Sequence, residues 1–225
     1  MRSLPLRPLL LPLFLIFFGA SHCRADECDQ LPKPSVTLKR LDAHPILNNT
    51  YSYKELTHLG AAGVRKGTQV LGLTRGTAIA QFETSIPLYI DRTGRWECAS
   101  PQIIVSYGFN PMTISIAREF PEGSCAYKEI HQHELRHVST YLTHLASIEK
   151  DLAETLAQRF NTGKPWRGPA GQTQTQLQRE LKERWLPYIQ REINRGDEAQ
   201  ERIDTAEEYA RVANACNGEI RKRIQ

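Results

Sequence analysis

Hydrophobic and polar positions change their rhythm once along this chain. Between residues 36 and 120 the apolar positions come in short, β-branched runs: "SVTLKRL", "TQVLGLT", "TAIAQFE", "SIPLYID", "PQIIVSY" and "MTISIARE". Gly, Pro, Asn and Asp separate them, which is the punctuation expected between strands. "TISIARE" alternates, as a strand with one wet face should. "YKELTHLG" interrupts the series with a short helix that stops at a glycine. From residue 126 to 160 there is no Gly or Pro, and Val138, Leu142, Leu145, Ile148, Leu152 and Leu156 recur at three- and four-residue steps. That spacing predicts one long amphipathic helix, ended by the loop "NTGKPWRGPAG". Residues 173–195 predict a second helix, with Leu177, Leu181, Ile189 and Ile193 on one stripe and a kink at Pro187. A third starts near Asp204 and runs past Cys216. Strands followed by helices give an α+β class: a mainly antiparallel N-terminal sheet, then a long helix and two more.

The first residues change the picture of where this chain works. Arg2 and Arg7 precede an apolar run from Leu9 to Phe18, too short to span a bilayer, and small residues lead to Ala25. Residues 1–25 read as a secretory signal peptide and residues 26–225 as a single domain. The whole chain carries +4; the leader holds Arg2, Arg7 and Arg24 with no acid, so subtracting 3 leaves +1. A nearly neutral surface exerts no general pull on nucleic acid or anionic lipid. We therefore expect no nucleic-acid partner and no stable membrane insertion. Beyond the leader the cysteines are Cys28, Cys98, Cys125 and Cys216. An even number in an exported chain, periplasmic or secreted, predicts disulfides, with three pairings open.

Candidate chemistry sits inside the long helix, in "HQHELRHVSTY". Residues four apart on a helix share a face, so His133 and His137 point the same way and can bind one Zn²⁺. Glu134 lies one position round. It can reach a water beside the metal without displacing a ligand, and so serve as general base. His131 falls on another side of the helix and reads as a surface residue.

"HELRH" behind a β-rich half resembles the zincin metallopeptidases. The wider pattern, "YKELTHLG", "GLTRG", "CAYKEIHQHELRHVSTY" and "RIDTAEEYARV", is similar to a family of secreted bacterial domains of unknown function described as zinc-dependent proteases. The resemblance covers most of residues 36–216 and implies a zinc site and a peptidase activity, with a peptide or protein substrate. His144 does not fit as the third ligand, because it lies seven residues, about 10 Å, along the helix from His137. A gluzincin-type arrangement takes its third ligand from a later helix. Glu207 is the first choice and Glu208 the alternative, with Asp204, Tyr209 and acids of the 177–192 helix behind them. Ala206, Tyr209, Ala210, Ala213 and Cys216 form the expected inner face of that helix. Tyr141, Tyr209 and His144 are the polar rings expected near the pocket. A peptide substrate is expected along "TISIARE", taken as an exposed sheet edge. The competing reading is an exported, disulfide-stapled binding or structural domain with a non-catalytic zinc or no metal.

Overall fold

The computed structural model describes residues 26–41, 44–60 and 68–224; the signal-peptide reading lies outside them. Strand β1 (Ser35–Arg40) and β2 (Ile46–Asn48) are followed by helix α1 (Tyr53–Gly60) and the long strand β3 (Gly72–Ser85). Short strands β4 (Leu88–Ile90) and β5 (Trp96–Ala99) lead to β6 (Gln102–Ile116) and then to α2 (Cys125–Phe160). Strand β7 (Trp166–Pro169) precedes α3 (Thr173–Glu180), α4 (Leu186–Asn194), α5 (Asp197–Gln200), α6 (Ala206–Asn214) and α7 (Glu219–Arg223).

The large sheet is built around β6, which pairs with β3 antiparallel and with β1 and β2 in parallel. It is therefore mixed, although antiparallel pairing predominates once the separate β4–β5–β7 sheet is included. Two of the predicted boundaries disappear. "PQIIVSY" and "MTISIARE" are halves of β6, and "GLT" and "TAIAQFE" are halves of β3. The register shifts between Gly76 and Ala78, opposite the stretch between Phe109 and Met112. That bulge accommodates Asn110 and Pro111 inside the sheet, where a proline in regular pairing would lose a ladder bond. "TISIARE" is consequently no edge. It lies between β2 and β3, and Met112, Ile114, Ser115 and Ile116 are all buried. Met112, Ile114 and Ile116 fill one face, and on the other Ser115 is buried and Thr113 half-buried, so neither face is wet.

Helix α2 forms because 36 residues run without a breaker and because both ends are tied. The Ser124 hydroxyl accepts from the Tyr127 N–H at 3.1 Å. At the far end the Asn161 side-chain oxygen accepts from the Val36 N–H at 2.9 Å, fastening the helix to β1. The helix lies across β1, β3 and β6. Its buried face carries Val138, Leu145, Leu152, Leu156 and Phe160, each worth about 1.5–3 kcal/mol in transfer from water. The second predicted helix is present with Leu177, Leu181, Ile189 and Ile193 buried, but one wide π-type turn, Leu181–Trp185, stands between α3 and α4. Pro187 explains it, because its ring crowds the carbonyl one turn back and its nitrogen donates nothing. The third helix is shorter than predicted. It ends at Asn214, and Cys216 falls in a tight turn before α7.

Two disulfides, Cys28–Cys98 and Cys125–Cys216, settle the pairing. They suit an oxidising, exported environment. Among the described residues no helix is long and apolar enough to cross a membrane. The second disulfide matters most for the site, since it joins the first residue of α2 to the turn that follows α6.

Candidate metal centre

His133, Glu134 and His137 are polar residues on the buried side of α2, at 8 %, 2 % and 8 % exposure. Such burial needs partners; Glu134 finds its partner in β3, and the oxygens facing the two imidazoles come from the last quarter of the chain. The Nε2 atoms of His133 and His137 are 3.1 Å apart. Asp204 Oδ1 lies 3.2 Å from the first and 3.3 Å from the second. Three donor atoms thus form a nearly equilateral triangle. For metal bonds of about 2.0–2.1 Å, the edge of a ligand tetrahedron is about 3.3 Å. The triangle fits one metal ion, with a fourth position left over.

The opposite ring nitrogens each have a polar partner. His137 Nδ1 faces the Gln200 side-chain oxygen at 2.7 Å, and His133 Nδ1 faces Glu208 Oε1 at 3.3 Å. An Nδ1–H donating to Gln200 leaves the His137 Nε2 lone pair pointing inward, the outer arrangement that metal-bound histidines commonly have; His133 takes the same tautomer when its Nδ1–H turns to Glu208 and not to the Arg136 guanidinium, 3.0 Å away. In that tautomer two lone pairs and a carboxylate oxygen converge, a set of donors that a metal cation can satisfy. The charges agree with this. Burial would lower His137, but Asp204 and Glu134 outweigh it and raise its pKa. Burial would raise Asp204, but hydrogen bonds from the two imidazoles hold its carboxyl well below the usual range.

The third corner is Asp204, where the sequence reading preferred Glu207 and then Glu208. The helix start explains the difference. Thr205 is the N-cap of α6 and its hydroxyl accepts from the Glu208 N–H at 3.2 Å. Asp204 therefore stands one residue outside the helix, free of capping, with its carboxylate turned back to α2. The inner face rotates with it: Ala206, Glu207 and Ala210 are exposed, while Val212 is buried and Tyr209 and Ala213 are half-buried. Glu208 keeps a role one layer out. It pairs with Arg136 and Arg211, and Arg211 above all, with Arg136 and His133, brings its carboxyl down to about 2. A carboxylate so firmly ionised is a steady acceptor for His133.

Glu134 lies beneath β3. The Thr74 hydroxyl donates to its Oε2 at 2.7 Å. A Cβ at Gly72 would come within 2.4 Å of its Oε1, so only glycine lets the strand pass that close. Burial raises the Glu134 pKa, against the pull of His137, His133 and Thr74. Glu134 and the three donors line one cavity of about 300 Å³, together with Tyr141, Tyr209 and residues 68–74. Tyr209 donates to Asp204, and burial together with that carboxylate pushes its phenol upward. Tyr141 packs on Phe109, with ring centroids 4.5 Å apart, and donates to Asp197 at 3.2 Å. His144 is not in the cavity. Its Nε2 meets the Glu192 carbonyl at 2.8 Å, near the end of α4, so it braces the segment that carries Gln200 and Asp204. His131 also stays outside, against the Tyr127 ring.

Among the described residues, His133, His137 and Asp204 are the group able to hold a metal. No protein-family model matches the chain, and neither a curated protein nor a solved structure does. Its chemistry has to be read from these side chains.

Proposed function

We propose that this protein is an exported zinc-dependent hydrolase of the zincin type that cuts peptide bonds. One observation carries the reading: a His–His–Asp donor triangle shares a cavity with a buried glutamate that is not part of the triangle. A metal-stabilised scaffold needs the ligands but has no use for Glu134, a carboxylate that is expensive to bury. Nitrogen and carboxylate donors in a tetrahedral frame with an open position suit zinc. Zinc held there would supply Lewis-acid chemistry, activating water and polarising a carbonyl.

The chain's own residues do the rest. Glu134 accepts the proton of the attacking water and returns it to the leaving amine. A pKa raised by burial brings it nearer the range where such a shuttle works at neutral pH. Thr74 holds the carboxylate in position. Gln200 and Glu208 keep the imidazoles oriented, and Tyr209 keeps Asp204 in place. The substrate lies along β3, which takes the part first expected of "TISIARE". Among the described residues β3 pairs with β6 alone. The Leu71 carbonyl accepts from the Ala117 N–H, so alternation turns the N–H and C=O of Gly72 and Thr74 to the open edge. An extended peptide can pair there beside Glu134.

The test is Glu134→Gln, which keeps shape and loses the proton acceptor. Zinc content and fold should match wild type, while cleavage of a mixed peptide library, read by mass spectrometry, should fall about 10²–10⁴-fold. Equal cleavage by both proteins would remove Glu134 from the mechanism. Zinc binding with no cleavage by either would leave the exported binding-domain reading.

A further inference from the structure

The cavity has a second wall, and that wall is apolar. Val70, Leu73, Ile130, Val212, Ala213 and Ile224 line it. They come from the approach to β3 and its first residues, from α2, from α6 and from the residue after α7. Four separate stretches of chain therefore contribute to one surface beside the donor triangle. Val70, Ile130 and Val212 are buried, whereas Ala213 and Ile224 remain half-open. Among the described residues, the charged groups that line the cavity are those already placed at the site: Glu134, Asp204 and the two histidines. No arginine or lysine stands ready to meet an acidic ligand, and no further carboxylate a basic one.

We propose that this wall is a side-chain pocket, and that it makes the protein selective for a medium-sized apolar residue next to the bond it cuts. The inference rests on the hydrolase reading. Open apolar surface favours an occupant that removes it from water. A charged side chain entering the same space would lose its hydration without gaining a partner. The volume suits one or two residues of an extended chain and not a folded domain. The wall is also preformed. Cys125–Cys216 ties the turn after α6 to the start of α2, and Ala213 is the smallest of the six lining residues. A larger residue at 213 would make the pocket shallower without touching His133, His137, Asp204 or Glu134.

The proposal can be tested by binding, separately from turnover. Zinc-loaded protein is titrated calorimetrically with hydroxamates whose substituent grows from methyl to isobutyl, with carboxymethyl as the charged comparison. Affinity should rise about fourfold per added methylene that enters the pocket, and the carboxymethyl compound should fall below the methyl one. Ala213→Phe, with zinc content and circular dichroism checked, should flatten the rise. A series already flat in the wild type would overturn the pocket, and it decides the matter even if Ala213→Phe fails to fold. Peptide-library cleavage then separates the two readings. Cut sites enriched in Leu, Ile, Val or Met on one fixed side support both. Cleavage without that enrichment overturns the selectivity and leaves the hydrolase standing. A rising hydroxamate series with no cleavage at all supports the apolar pocket and retires the hydrolase.

Discussion

The two halves of α2 obey the same periodicity, but the far half buries apolar residues alone and the near half buries charged and polar ones among them. From Leu145 to Phe160 the inward positions are apolar and close against one another and against Trp185 and Trp166. From His133 to His137 they are two imidazoles and a carboxylate. The far half is satisfied by any apolar neighbour of suitable volume, because hydrophobic contact has no direction. The near half is satisfied only by particular atoms at particular distances: Asp204, Gln200, Glu208 and Thr74. One half of the helix holds the fold, and the other makes the fold hold a site.

The sharpest way to break this contrast is at the metal. His133→Ala or His137→Ala should abolish stoichiometric zinc binding, measured by elemental analysis after dialysis, while the helix itself persists. Leu152→Ala in the other half should do the reverse. It should cost about 2–5 kcal/mol of stability in denaturant unfolding, and zinc per folded chain should stay at the wild-type value. If Leu152→Ala stripped zinc from protein that was still folded, the two halves would not be separable.

An intermediate effect belongs to the layer behind the ligands. Gln200→Ala or Glu208→Gln leaves all three ligands in place but frees one imidazole to turn. Zinc affinity should fall about 10–100-fold in competition with a chelator. Loss of all binding would promote that residue to a ligand.

The smallest effect on the site itself concerns a carboxylate that is structural. Glu97, on β5, is buried and accepts from the N–H groups of Gly171 and Thr173 at 2.8 Å each, taking the place of a side-chain cap at the start of α3. Burial alone would raise its pKa, but these hydrogen bonds outweigh it and hold it below the ordinary glutamate value. A depressed pKa contributes stability that is complete above the unfolded value, about 4.3, and is lost as pH falls through the folded one. Glu97→Gln should therefore cost about 1.5–3 kcal/mol at neutral pH. The gap in Tm from wild type should close as the pH falls below the carboxylate range, with zinc binding at neutral pH unaffected.

The contrast also explains what could be read from the chain beforehand. The far half of α2 and the stripe of Leu177, Leu181, Ile189 and Ile193 follow from periodicity, because burial of apolar residues is local information. His133, Glu134 and His137 follow from helix geometry, since i and i+4 meet wherever a helix forms. Asp204 did not follow, because "DT" offers two adjacent N-cap residues and one step of helix register decides which faces inward. Gln200 carried no signal at all; an amide accepting from a histidine looks like any surface glutamine in sequence. The length of β6 was hidden as well, because Asn110-Pro111 reads as a turn unless the bulge in β3 opposite is known.

The His133–His137–Asp204 triangle can be challenged most directly by chelator-competition zinc titration of Asp204→Ala beside Glu207→Ala. Removing a true ligand should weaken zinc by more than the about 10–100-fold expected of an outer partner, so Asp204→Ala should fall beyond that range while Glu207→Ala titrates like wild type. Wild-type affinity in Asp204→Ala, with zinc lost from Glu207→Ala, would contradict the triangle and return the third ligand to α6.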